Sequence, residues 1–190
     1  MSDVVFLRGA KTILRPPDKE KDAPLFRRWI NDPEVRFFLD RVLPADLKVE
    51  ENWIDNLSGS QNHIVLVIET NEGVPIGTIG LHGISWVNGF ATSGAMIGEK
   101  DYWGKGYGFD AKMALLYYAF FNLGLRKICS SVFSFNKRSQ AYLEKTGYVQ
   151  EGVKKKQRLR NGRYHDEILL GLFKKDFTPI WRAYKKKHGL

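Results

Sequence analysis

A chain of 190 residues with 43% hydrophobic and 27% charged content reads as one soluble globular domain with a well-buried core. No apolar run approaches the length of a membrane span, and residues 1–8 lack the basic start and apolar centre of a secretion signal, so no membrane partner and a cytoplasmic location are expected. The formal charge of +9 is local: residues 1–153 balance 18 Lys and Arg against 18 Asp and Glu, while residues 154–190 carry 12 against 3.

The basic residues have two centres, a hairpin at 154–163 and a tail at 184–188, both read as solvated surface. Few aromatics interleave with them, and nucleic acid is not expected as a partner. Cys129, the single cysteine, lies in an apolar run and reads as a packing residue. His63, His82, His165 and His188 show no ligand spacing, so no metal is expected.

In chain order, 12–15 reads as a short strand ended by Pro16-Pro17. Asp18 and Asp22 can then cap a helix that carries Leu25, Phe26, Trp29 and Ile30 at helical spacing and stops at Asn31-Asp32-Pro33. A second amphipathic helix, 47–57, presents Val49, Trp53, Ile54 and Leu57; the two helices would make one wall of a cleft. Residues 63–69, 75–86 and 90–97 read as an antiparallel meander turned at Asn71-Glu72-Gly73 and Asn88-Gly89. A glycine loop follows, then a helix at 109–121 with almost no polar face. Residues 126–135 form the next strand, Asn136 can cap a helix at 137–146, and residues 148–152 and 164–173 close the sheet around a turn at Asn161-Gly162. Strand, glycine loop, helix and strand make a parallel βαβ unit whose carboxyl ends open beside both the loop and Asn136.

The loop Tyr102-Trp103-Gly104-Lys105-Gly106-Tyr107-Gly108 carries the chemistry, because glycines between a strand and a helix let an anion approach backbone amides. A nucleotide-triphosphate loop fails, since Lys105 sits between glycines and no hydroxyl follows. A dinucleotide fingerprint is weak: the spacing is Gly-x-Gly-x-Gly and residues 124–127 supply no carboxylate. An ordinary glycine-rich turn stays open on the loop alone.

The loop, the segment 136–148 from Asn136 to Tyr148, the closing run 161–166, Arg15, residues 29–33 and Gly77 together resemble the GNAT acetyltransferases. The match is to the branch with the RimJ and RimL ribosomal-protein, spermidine and amino-sugar acetyltransferases, and it covers residues 13–177. It implies an α/β (α+β) fold: a mixed, mostly antiparallel twisted sheet of about six to seven strands with a central splayed parallel pair, flanked by about four helices. Residues 1–177 would be one acetyltransferase domain and 178–190 a basic C-terminal tail. A homodimer is compatible with it.

The resemblance also implies acetyl-CoA as cosubstrate, with its pyrophosphate on the amides of Gly104, Lys105, Gly106, Tyr107 and Gly108. Trp103 stands where Gln or Arg is usual. Ile97 and Gly98 would pair with the pantetheine, and Asn136 would bond the coenzyme arm or serve as a plain helix cap, with Ser139 beside it. Tyr142, six residues after Asn136, matches a tyrosine that protonates the leaving thiolate; a phenol, neutral at physiological pH, suits that step, and a core tyrosine is the bland alternative. Many relatives carry a carboxylate base on the strand before the loop, yet residues 91–96 hold none. Glu99, His82, Asp166 or a water remain as candidates. The acceptor would be a protein N-terminus, a polyamine or an amino sugar, with the basic hairpin weighing against a polyamine and towards an anionic acceptor. A non-catalytic acyl-CoA-binding module with a basic surface is the alternative function.

Overall fold

The computed structural model describes residues 4–189. Its elements are β1 (Leu7–Arg8), β2 (Thr12–Arg15), α1 (Lys19–Asn31), α2 (Pro33–Arg36), α3 (Leu47–Leu57), β3 (His63–Thr70), β4 (Pro75–Ser85), β5 (Phe90–Ile97), α4 (Tyr107–Tyr117), β6 (Lys127–Phe133), α5 (Lys137–Lys145), β7 (Val149–Arg160), β8 (Arg163–Phe173) and α6 (Lys174–His188). A single π-helical turn, Tyr118–Asn122, ends α4.

Short polar side chains start α1, α2, α3 and α5 by satisfying their free amides. Asp18 accepts from the amides of Glu20 and Lys21, Asp32 from Glu34 and Val35, Asp46 from Val49, and Asn136 from Ser139. The strands form one sheet in the order β1-β2-β3-β4-β5-β6-β8-β7, antiparallel throughout except for β5 and β6. Successive residues of β3 face opposite sides, which separates two apolar clusters. Ile68 joins Ile79, Leu81, Met113, Leu115 and Phe177 on the α4 and α6 side, whereas Val67 joins Phe26, Trp29 and Ile54 under α1 and α3. Among the described residues, no helix is long and apolar enough to cross a membrane and no group of three or more His, Cys, Asp or Glu could hold a metal.

The fold expectation holds in type and falls short in number: the sheet has eight strands, and α2 and α6 add to the four expected helices. β1 is two residues long and α2 a single turn, too short for any periodicity to register. The boundary drawn at residue 177 runs through α6, whose Phe177, Trp181 and Tyr184 are buried. Trp181 stacks on Tyr117 at 4.6 Å, so the basic residues of this segment are the outer face of a packed helix. The basic hairpin is likewise tied down. Arg158 pairs with Glu167 at 2.8 Å and Asp40 at 3.0 Å, Lys155 with Asp166 at 3.0 Å, and the Arg160 guanidinium donates to the carbonyls of Phe37 and Leu39. It therefore clamps the segment after α2 over the sheet.

Candidate active site

The site begins where the sheet splits. β5 and β6 pair in parallel only at Phe90↔Lys127, Ala91↔Ile128 and Thr92↔Cys129, and then diverge. Two serines stitch the fork: Ser130 Oγ donates to the Ser93 carbonyl at 3.2 Å, and Ser93 Oγ lies 3.4 Å from the Cys129 carbonyl. From α4 beneath, Lys112 Nζ donates to Ser93 Oγ at 2.9 Å, and Ser93 Oγ also meets the Tyr148 hydroxyl at 2.7 Å. Lys112 is fully buried and has no carboxylate partner among the described residues; burial alone pulls its pKa down to about 7. Its Nζ stands 6.0 Å from the centre of the Tyr142 ring.

A cleft of about 950 Å³ opens from this fork. At one end is the glycine loop, with Gly104 at φ 73° and Gly106 at φ 88°, a region open to glycine at little cost. Nothing stands within 4 Å of where a Cβ would sit on either residue. α4 starts directly after Gly106 with no side-chain cap among the described residues, so its first amides are left for an anion. Arg138 stacks 4.2 Å over the Trp103 ring, and Trp103 Nε1 donates to the Ile97 carbonyl at 2.7 Å.

Ile97, Trp103, Gly104, Gly106, Tyr107, Gly108, Asn136, Ser139 and Tyr142 all line the cleft. Gly98, Lys105 and Glu99 are not among the lining residues. Gly98 donates its amide to the Ile76 carbonyl at 2.8 Å, and a Cβ there would stand 2.2 Å from the Trp29 ring, so its role is close packing. The Lys105 carbonyl accepts from Lys11 Nζ at 3.3 Å. Glu99 is turned to α1, where Oε1 accepts from Trp29 Nε1 at 2.8 Å and pairs with Arg28, which corrects the expectation of a base at that position. Asp166 is also spent: Lys155 and the Lys156 amide bind it and hold its carboxyl below the usual range.

His82 does line the cleft, across the sheet from Lys112. Burial first, then His63 and Lys112, lower its pKa and keep the imidazole neutral. Burial has the opposite sense for Tyr142, whose phenol is pushed well up and keeps its proton. Two charges that line or underlie the cleft, Glu50 and Lys112, belong to no sequence motif. Each stands within an apolar helical pattern, and that was the available signal.

A strand pair forced apart beside an uncapped helix start, with a protonated phenol at the gap, defines a site for an extended phosphate-bearing acyl donor. Residues 11–149 match the family model described as an acetyltransferase (GNAT) domain. A protein of Bacillus subtilis (strain 168) named "Putative ribosomal N-acetyltransferase YdaF" is 32% identical over 178 residues, covering 87% of this chain and 91% of that one. A protein of Bacillus licheniformis named "Uncharacterized N-acetyltransferase p20" is 27% identical over 163 residues, 83% of this chain and 90% of the other. In fold, the chain superposes with TM-score 0.82 on a spermidine N-acetyltransferase of Vibrio cholerae solved with CoA and spermine, at 21% identity, covering 87% and 97% of the two chains. The chain belongs to the GNAT acetyltransferase family, whose cosubstrate is acetyl-CoA.

Proposed function

We propose that this protein moves the acetyl group of acetyl-CoA to a primary amine, a protein N-terminus or a small amine, by direct attack. The observation that carries the reading is the three-pair parallel ladder that ends at Thr92 and Cys129 and opens towards both the uncapped start of α4 and Tyr142. The amides of Gly104, Lys105, Gly106, Tyr107 and Gly108 would hold the pyrophosphate, with Ile97, Trp103, Asn136 and Ser139 along the coenzyme arm. Strand backbone groups left unpaired beyond the fork are available to the arm's amides.

In the transfer step the amine nitrogen bonds to the thioester carbonyl carbon and the C–S bond breaks. The nitrogen gives up a proton and the sulfur takes one. His82, neutral and lining the cleft, is the group suited to take the first; Tyr142 gives the second. A phenol whose pKa burial has raised is a reluctant donor by itself, and Lys112, when protonated, supplies the nearby positive charge that eases the transfer. Holding both reactants in one cleft contributes the rest.

The experiment is thiol release from acetyl-CoA across a panel of peptide N-termini, small apolar amines, polyamines and nucleotide-linked amino sugars. Amine-dependent release with an acetylated product by mass spectrometry is the expected result. Acetyl-CoA binding with no amine-dependent release from any class would favour the non-catalytic module.

A further inference from the structure

α3 turns Leu47, Glu50 and Ile54 towards the protein, and Glu50 is only 2% exposed. A carboxylate withdrawn from water is costly unless charge and hydrogen bonds replace its hydration. Glu50 has little of either. Its Oε1 receives no hydrogen bond among the described residues, and its one ion pair is with Arg41 NH1 at 3.3 Å. Arg41 comes from the segment between α2 and α3, and its Nε also leans on the Leu43 carbonyl at 3.4 Å. Burial pushes the Glu50 carboxyl up, and Arg41 draws it partway back.

The surroundings describe a ligand. Glu50 lines the same cleft as Tyr142, and Phe26, Ile30 and Trp53 of α1 and α3 and Val65 of β3 line it too. Aromatic and aliphatic walls around one under-served carboxylate suit an ammonium on an apolar stem, which would find a charge-assisted bond and ring faces together. An anionic acceptor would meet the carboxylate as a like charge.

We propose that Glu50 anchors the ammonium of the acceptor and that the Arg41 guanidinium stands in its place until the acceptor arrives. The inference rests on reading the cleft as an acetyl-transfer site, and it narrows the acceptor to a cationic primary amine with apolar atoms next to it, whose ammonium gives one proton to water before the neutral nitrogen attacks and a second to His82 as the amide forms. A chain N-terminus followed by an apolar side chain is of that kind. A nucleotide-linked amino sugar is not, which reverses the preference drawn from the basic hairpin.

Opposite partners of one pair should then act with opposite sign. The test titrates 2-phenylethylamine, and 2-phenylethanol as its neutral match, into wild type, Glu50→Gln and Arg41→Met at neutral pH, with and without saturating CoA. The amine is expected to bind wild type more tightly than the alcohol. It should bind about tenfold more weakly to Glu50→Gln, as the loss of a charge-assisted bond implies, and more tightly to Arg41→Met. CoA affinity should be the same in all three. Failure of wild type to prefer the amine, an unchanged affinity in Glu50→Gln, or equal weakening by both substitutions would overturn the proposal. The CoA titration reports separately on the acetyl-transfer reading, since the amine subsite is read even if CoA does not bind.

Discussion

Asp110 and Lys112 stand two residues apart on α4, both buried, and are treated in opposite ways by their surroundings. Asp110 accepts four hydrogen bonds: from the Ala10 amide at 3.1 Å, the Lys11 amide at 2.9 Å, Thr12 Oγ1 at 2.7 Å and the Tyr184 hydroxyl at 2.6 Å. It fastens the β1–β2 turn and α6 to α4, and Gly9 is needed there because a Cβ would lie 2.1 Å from Asp110 Oδ2. Among the described residues, Lys112 has one hydrogen bond, to Ser93 at the fork. A buried charge that holds a fold together is saturated with partners, whereas one kept short of partners beside a cleft costs stability and is a candidate for chemistry.

The comparison can be broken most strongly at its satisfied member. Asp110→Ala takes the acceptor from the Lys11 amide and from the Thr12 and Tyr184 hydroxyls and leaves the Ala10 amide only its 3.0 Å bond to the Tyr184 hydroxyl, and should lower unfolding free energy by about 3–5 kcal/mol in denaturant titration. At the cleft, Tyr142→Phe should reduce kcat by about 100-fold while acetyl-CoA affinity holds within about twofold; unchanged turnover would remove Tyr142 from the mechanism.

Lys112→Met should have the reverse sign to Asp110→Ala. The lysine pKa is about 7 in the folded chain and near 10.4 when unfolded, so between these values the unfolded state binds more protons and stability rises with pH. The penalty is complete below about pH 7 and fades towards pH 10. Removing the amine should therefore stabilise the protein by about 1–3 kcal/mol at neutral pH and flatten that rise, as read by denaturant titrations at several pH values. The smallest effect is expected for Tyr184→Phe, about 1 kcal/mol, because Asp110 keeps its other three donors.

The succession of strands, the glycine loop and the parallel βαβ unit were legible because each rests on local signals, alternation, turn residues and caps; the splitting of the parallel pair followed only from the family resemblance. The final helix was not legible. Its lysines drew the eye to charge, although Phe177, Trp181 and Tyr184 recur at helical spacing through the supposed tail. Lys112 and Glu50 were visible as charges in apolar stripes, but a stripe does not reveal whether a partner arrives from elsewhere. For Glu99 one does: Trp29, 70 residues away, captures its carboxylate and takes it out of contention as a base. Contacts of that range are made by the fold and leave no trace in spacing.

The most direct test is a crystal structure with acetyl-CoA. The pyrophosphate is expected on the amides of residues 104–108, the pantetheine between the diverging ends of β5 and β6, and the Tyr142 hydroxyl within hydrogen-bonding distance of the sulfur. Coenzyme bound outside that fork, or Tyr142 turned away from the sulfur, would contradict this placement.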